Sequence, residues 1–317
     1  MAKTSDLTSH FVSATEKAAI AASEWRGRGD GKLADAAAVE AMREVFDGVP
    51  FDGRVAIGEG ERDDAPMLWI GEPLGSLQGV AGALQIDIAV DPLECTNHVA
   101  KDLPNAIAVL AAAPRGSLLH APDCYMDKLA GPAEVVGEVS LEADVAYNVE
   151  AAAAALDKSV NELKVVVMDR DRHKELIKTL RNLDVSVPLI GDGDVSAALD
   201  AASPHSDIDL LMGVGAAPEG VITATAMRGL GAHFEGRLVT TNEDHERRAR
   251  DMLGDDIYRL WGRDDLCSSS DALFVASGVC SGYLPGVEDL GDRVAVHSEV
   301  IDVSVGTRKF ISAEYGK

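Results

Sequence analysis

Ile86-Asp-Ile-Ala-Val-Asp-Pro-Leu-Glu-Cys-Thr96 holds both a strand and the chemistry at its end. Ile86, Ile88 and Val90 are apolar and β-branched, as a buried strand requires, and Asp91, Glu94 and Thr96 follow in a turn that contains Pro92. Carboxylates crowded at a strand end are costly unless a cation sits between them, and hard divalent ions take carboxylate oxygens.

Two more acidic turns share this design. Val55-Ala-Ile-Gly-Glu-Gly-Glu-Arg-Asp-Asp-Ala65 runs from a short apolar strand through Gly58 and Gly60 to Glu59, Glu61, Asp63 and Asp64. Gly27-Arg-Gly-Asp-Gly-Lys-Leu-Ala-Asp35 offers Asp30 and Asp35 at the start of a helix. Three acidic turns at the ends of regular elements predict one multi-carboxylate site, with room for two ions spaced as in two-metal phosphatases, roughly 3.5–4 Å apart.

Composition narrows the function classes. The chain has 317 residues, enough for one large domain or two ordinary ones, and its 46% hydrophobic share supports a real, mostly aliphatic core. A formal charge of −24 without a basic run argues against nucleic acid and against an anionic membrane surface. The longest apolar run, residues 106–113, is far short of the ~20 residues that span a bilayer. The first 13 residues lack the apolar stretch of a signal peptide, and Cys95, Cys124, Cys267 and Cys280 show no metal-type spacing. A cytoplasmic protein with reduced, buried thiols is expected.

Hydrophobic periodicity predicts helices at residues 7–25 and 34–45, strands at 54–57 and 83–90, and paired strands at 106–113 and 116–121. A further extended stretch is expected at 136–146. From about residue 149 strand and helix alternate: helices at 149–156, 173–183, 195–201 and 220–228, strands at 163–168, 185–190 and 209–213. That rhythm predicts a parallel α/β sheet. A helix at 242–261 and extended stretches at 272–277 and 293–305 complete the chain. A soft boundary near residue 150 divides it into a metal-binding half, 1–150, and an α/β substrate-binding half, 151–317, with the site in the crevice between them.

Other constellations fit a phosphorylated substrate. Gly191-Asp-Gly-Asp194 opens a helix, where Asp192 and Asp194 can cap it or bind sugar hydroxyls. Gly213-Val-Gly-Ala-Ala-Pro-Glu-Gly220 is a glycine-rich strand-to-helix connection, in which Glu219 reads as a further metal ligand. Asp169-Arg-Asp-Arg-His173 supplies guanidinium groups suited to bidentate phosphate binding. Tyr125 can hydrogen-bond a phosphate. A serine-hydrolase elbow and a Walker loop are both absent from the sequence.

Taken in order, these motifs resemble the class II fructose-1,6-bisphosphatases of the lithium-sensitive superfamily that includes inositol monophosphatases. The resemblance covers nearly the whole chain. It rests on Trp25-Arg-Gly-Arg-Gly-Asp30 with Asp35, on the run from Ile57 to Met67, and on Asp91-Pro-Leu-Glu94. Further matches are Ala121-Pro-Asp-Cys-Tyr-Met126, Arg172-His173, Asp192-Gly-Asp-Val195 and Ala217-Pro-Glu-Gly220. It implies a layered α-β-α-β-α sandwich, a homo-oligomer, and Mn²⁺- or Mg²⁺-dependent removal of the 1-phosphate of fructose 1,6-bisphosphate. It further implies that Asp35 and Glu59 hold one ion and that Asp91, Glu94 and Glu219 hold the other. Asp63 and Thr96 would orient the attacking water, with Glu59 also counted among the catalytic groups. Tyr125, Arg170, Arg172, Asp192 and Asp194 would bind the sugar bisphosphate, beside Glu94, Cys95, Thr96 and Ala216. Gly31, Cys95 and Ala216 depart from the family pattern, which has lysine, glycine and glycine there. These departures motivate two alternatives: a phosphatase for another sugar or cyclitol phosphate, sedoheptulose 1,7-bisphosphate included, or a catalytically weak regulatory paralogue.

Overall fold

The computed structural model describes residues 2–58 and 68–317. The chain opens with helices α1 (Thr8–Ser23) and α2 (Gly31–Gly48), then β1 (Asp52–Gly58), β2 (Pro73–Leu74), β3 (Gln85–Glu94), the short helix α3 (Thr96–Lys101) and β4 (Ile107–Pro114). There follow β5 (Tyr125–Gly131), α4 (Val145–Ala155), β6 (Val165–Met168), α5 (Lys174–Asn182), β7 (Leu189–Ile190), α6 (Asp194–Ala201), β8 (Leu210–Ala216), α7 (Ala217–Leu230) and β9 (His233–Val239). The last elements are α8 (Glu243–Leu253), β10 (Trp261–Gly262), α9 (Arg263–Leu266), β11 (Leu273–Gly278), β12 (Glu288–Asp289), β13 (Arg293–Asp302) and β14 (Thr307–Gly316).

The strands form an eight-stranded sheet, β12-β13-β11-β4-β3-β1-β2 with β14 on β13, and a six-stranded sheet, β10-β9-β5-β8-β6-β7. In the first, only β1 and β3 run parallel. In the second, β6 is parallel to β7 and β8, and the other pairs are antiparallel. Both sheets are therefore mixed, not the all-parallel sheet that the strand–helix rhythm predicts.

Helices α1 and α2 cover the outer face of the large sheet. Phe11, Phe46 and Phe51 meet edge to face there, with centroids 6.0–6.5 Å apart, so half of the chain's six phenylalanines pin one layer. Helices α6 and α7 lie between the sheets. Every residue of α7 from Ala217 to Met227 is buried, as expected of a helix with a sheet on both sides. Helices α4 and α5 cover the outer face of the small sheet through Val149, Ala152, Ile177 and Leu180. The result is the expected α-β-α-β-α sandwich. Among the described residues no helix is long and apolar enough to cross a membrane.

Several local expectations are corrected. Residues 116–121 form no strand, only a single bridge from Leu118 to Cys267. Residues 136–144 form turns instead of an extended stretch, with Ser140 and Leu141 held by the Glu235 carboxylate. The helix expected at 242–261 stops at Leu253, because Gly254 takes a positive φ and a 3₁₀ turn follows. The strand expected at 185–190 shrinks to Leu189–Ile190. The sheets do not divide at residue 150. β5 precedes that point yet belongs to the small sheet, while β11, β12, β13 and β14 return to the large one. The expected halves 1–150 and 151–317 thus do not coincide with the two sheets.

Candidate active site

One pocket opens where the ends of β3, β6 and β8 meet the N-termini of α2 and α7, with a cavity volume of about 420 Å³. Asp35, Asp91, Glu94, Cys95, Thr96, Tyr125, Arg170, Arg172, Asp192, Asp194, Ala216 and Glu219 all line it. These are all the expected site residues except Glu59 and Asp63, which lie outside the described residues along with the rest of that acidic turn.

The β3 strand continues through Asp91 to Glu94, with a register shift against β4 between these two residues. That irregularity re-aims both carboxylates. Asp91 Oδ1 accepts the Leu93 N–H at 3.0 Å, and Glu94 Oε1 accepts the Val195 N–H at 2.9 Å. The second bond ties the acidic turn of the large sheet to the N-terminus of α6. Cys95 sits in the left-handed region at φ 72° and is buried. Asp30 caps α2 by accepting the Leu33 N–H at 3.0 Å, which brings Asp35, one turn further on, to the pocket.

Arg170 and Arg172 bring positive charge to the same pocket. Arg172 donates from Nε and Nη2 to the Val214 carbonyl, at 2.9 and 2.7 Å, and its guanidinium lies 5.1 Å from the Tyr125 ring. Arg170 is 3.8 Å from Asp192. His173, buried behind them, accepts the Val214 N–H at Nε2 at 2.8 Å, and its Nδ1 lies 2.8 Å from the Met168 carbonyl. The acceptor role at Nε2 puts the proton on Nδ1. Burial pushes the His173 pKa down, so the ring is held neutral.

Some residues were not foreseen. Lys128 of β5 is 1% exposed and pairs with Asp194 at 2.6 Å. A lone lysine beside Met126 and Leu129 in an apolar stretch is its only sequence signal. Lys32 also lines the pocket. Gly193, not Asp192 or Asp194, is the N-cap of α6. Asp87, in the apolar run of β3, does not line the pocket; it is bound by Arg54 and by the Gly116 N–H.

The donor set suits hard cations. Among the described residues, Asp35 Oδ1, Glu94 Oε2 and Glu219 Oε2 are buried without a hydrogen-bond donor. Burial raises the pKa of Asp35, and burial together with Asp194, Glu219 and Asp192 raises that of Glu94 well above the usual carboxylate range. Glu219 is raised to about 7, chiefly by burial, against the pull of Lys128. Carboxylate oxygens buried in this way suit a hard cation. Among the described residues no three such groups converge tightly enough to close around one ion by themselves.

Buried acid and guanidinium groups in one pocket suit a phosphatase that works through divalent ions. The comparisons agree. The profile described as bacterial fructose-1,6-bisphosphatase, glpX-encoded, matches residues 5–315. A protein named D-fructose 1,6-bisphosphatase class 2/sedoheptulose 1,7-bisphosphatase from Synechococcus sp. (strain JA-3-3Ab) is 43% identical over 328 residues, covering 97% of this chain and 94% of the relative. Proteins of the same name from Trichodesmium erythraeum and Synechocystis sp. are 42% and 41% identical, covering 95% and 99% of this chain and 93% and 97% of those relatives. The chain belongs to the glpX-type bacterial fructose-1,6-bisphosphatase family. It is a phosphoric monoester hydrolase of a metal-dependent family.

Proposed function

We propose that the protein hydrolyses the 1-phosphate of fructose 1,6-bisphosphate, giving fructose 6-phosphate and inorganic phosphate, with Mn²⁺ or Mg²⁺ as cofactor. The observation that carries this reading is the pairing, across one pocket, of donor-less buried carboxylates with Arg170 and Arg172. Asp35 and Glu59 would hold one ion, and Asp91, Glu94 and Glu219 would supply ligands to the second, with other groups completing its shell. Such ions, when bound, supply a water of lowered pKa and offset phosphoryl charge. Thr96 and Asp63 orient that water. Arg170, Arg172 and Tyr125 grip a phosphate, and Asp192 and Asp194 accept hydrogen bonds from sugar hydroxyls.

The carbohydrate itself is the finer part of the proposal. Cys95 and Ala216 stand at pocket positions where glycine is expected, and both add bulk. The relatives' shared name couples two substrates, so turnover of sedoheptulose 1,7-bisphosphate is the second reading. Phosphate release from both bisphosphates, measured with Mn²⁺ and with Mg²⁺, tests the assignment. No release from fructose 1,6-bisphosphate beside robust turnover of another sugar phosphate overturns the substrate and keeps the class.

A further inference from the structure

We propose that Lys128 is a positioning residue: it fixes Asp194 from beneath the pocket floor, and so sets affinity for the sugar without touching it. This rests on the reading of Asp194 as a sugar-binding group.

Among the described residues Lys128 is the single lysine or arginine that is buried. Its Nζ lies 2.6 Å from Asp194 Oδ2, with side-chain exposures of 1% and 7%. The two residues come from different elements, β5 and the first residue of α6. The pair therefore locks the small sheet to the turn that carries Asp192 and Asp194.

The glycine-rich connection gains an explanation from this. β8 runs straight into α7 at Ala216 and Ala217, so there is no anion-binding loop between them. A β-carbon on Gly215 would overlap Asp194 Oδ2 and lie 2.9 Å from Lys128 Nζ. One on Gly220 would lie 3.4 Å from Lys128 Cε and would overlap Met126 Sδ. Gly215 thus makes room for the pair itself, and Gly220 for Met126 beside it.

The surroundings make the ammonium costly to lose. Asp192, Asp194, Glu94 and Glu219 crowd one wall, and a buried charge stripped of its partner is strongly destabilising. Without Lys128 the Asp194 carboxylate loses the bond that fixes its direction, which removes an oriented acceptor from the sugar.

The test is a double-mutant cycle on the full chain, with KM and kcat for fructose 1,6-bisphosphate measured at saturating Mn²⁺. Lys128→Met is expected to raise KM at least tenfold and change kcat less than threefold, with Lys128→Arg recovering part of the loss. In an Asp194→Asn background the same Lys128→Met change is expected to add less than twofold. An unchanged KM in Lys128→Met, or an equal fold-change in both backgrounds, overturns the proposal. Should Lys128→Met not fold, Gly215→Ala keeps every charge and displaces Asp194; a KM within twofold of wild type in that variant also overturns it. Wild-type enzyme inactive on fructose 1,6-bisphosphate would sink only the substrate reading. The cycle is then read on whichever sugar phosphate the wild type hydrolyses, or on calorimetric binding of fructose 1,6-bisphosphate if it hydrolyses none.

Discussion

Cys95 Sγ stands 3.0 Å from the point a β-carbon on Gly193 would occupy, and both residues are left-handed, at φ 72° and 93°. Two turns from different layers thus touch at their most constrained residues, next to the Glu94–Val195 hydrogen bond. A non-glycine residue in this conformation costs about 1–2 kcal/mol, which the buried thiol contact offsets. Cys95→Gly is therefore expected to leave stability within about 1 kcal/mol of wild type. Gly193→Ala, strained and pushed onto the sulfur, is expected to cost about 1–3 kcal/mol. Denaturant melts separate the two. Because the thiol faces Gly193 and is 5% exposed, Cys95→Gly should change KM for fructose 1,6-bisphosphate less than threefold. A tenfold gain would show instead that Cys95 restricts the pocket.

His173 acts through the backbone on Arg172, the arginine proposed to grip phosphate. It accepts the Val214 N–H, while Arg172 donates to the Val214 carbonyl, so one peptide segment of β8 is held from both sides. Gly213, at φ 136°, lets β8 pass the imidazole, since a β-carbon there would lie 2.9 Å from Nε2. His173→Ala leaves a buried amide without its acceptor and is expected to cost about 2–4 kcal/mol, with a raised KM as Arg172 loosens. The native ring has a depressed pKa, so its contribution is present above the unfolded value of 6.5 and is lost as pH falls below it. A melting series from pH 8 to pH 5 should therefore show His173→Ala losing less stability than wild type; parallel curves would count against the neutral clamp.

The site was more legible than the sheet that carries it. Asp35, Asp91, Glu94, Arg170, Arg172 and Glu219 sit in compact motifs whose chemistry is visible at short range. Lys128 was not legible, because its partner lies 66 residues away and the motif around it reads as packing. Among strands, β4 announces itself by an unbroken apolar run and β3 by one broken only at Asp87 before its acidic end. β5 is interrupted by Asp127 and Lys128, and β9 mixes His233, Glu235 and Arg237, the first of them buried, among its apolar residues. β14 has no fully buried residue, and only Ile311, Ala313 and Tyr315 alternate toward the core, too short a pattern to stand out. Missing β5 and β9 also concealed the antiparallel core of the small sheet, and with it the lack of a division at residue 150.

Asp87 separates structural acid from functional acid within one strand. It is fully buried, and its carboxylate receives Arg54 at 2.7 and 3.3 Å and the Gly116 N–H at 2.6 Å. These bonds join β1, β3 and the end of β4 at a distance from the pocket. Asp87→Ala is expected to destabilise by about 3 kcal/mol by leaving Arg54 and an amide unpaired, the half-exposed guanidinium softening the loss. KM and the Mn²⁺ requirement of the folded fraction should stay as in wild type. A changed metal requirement would place Asp87 in the site after all.

In the proposed site proton and cation compete for the same carboxylates, which fixes how the metal-free protein should respond to pH. Glu219 is raised from 4.5 to about 7, and Glu94 is raised as well, both chiefly by burial. For an acid whose native pKa lies above its unfolded one, stability is fully present below the unfolded value and is lost as pH rises through the native value. The metal-free protein should accordingly melt at a lower temperature at pH 8 than at pH 5 as far as these groups decide it. A divalent ion replaces the proton and removes the penalty of the ionised form. Added Mn²⁺ or Mg²⁺ should therefore raise the melting temperature more at pH 8 than at pH 5. In Glu219→Gln, which is neutral at both values, the metal-free decline should be shallower and the Mn²⁺ shift smaller. Calorimetric scans of both proteins, with chelator and with metal, decide this. A Mn²⁺ shift that is equal at the two pH values, or unaffected by Glu219→Gln, would remove Glu219 from the metal ligands and leave its buried carboxylate to Lys128 alone.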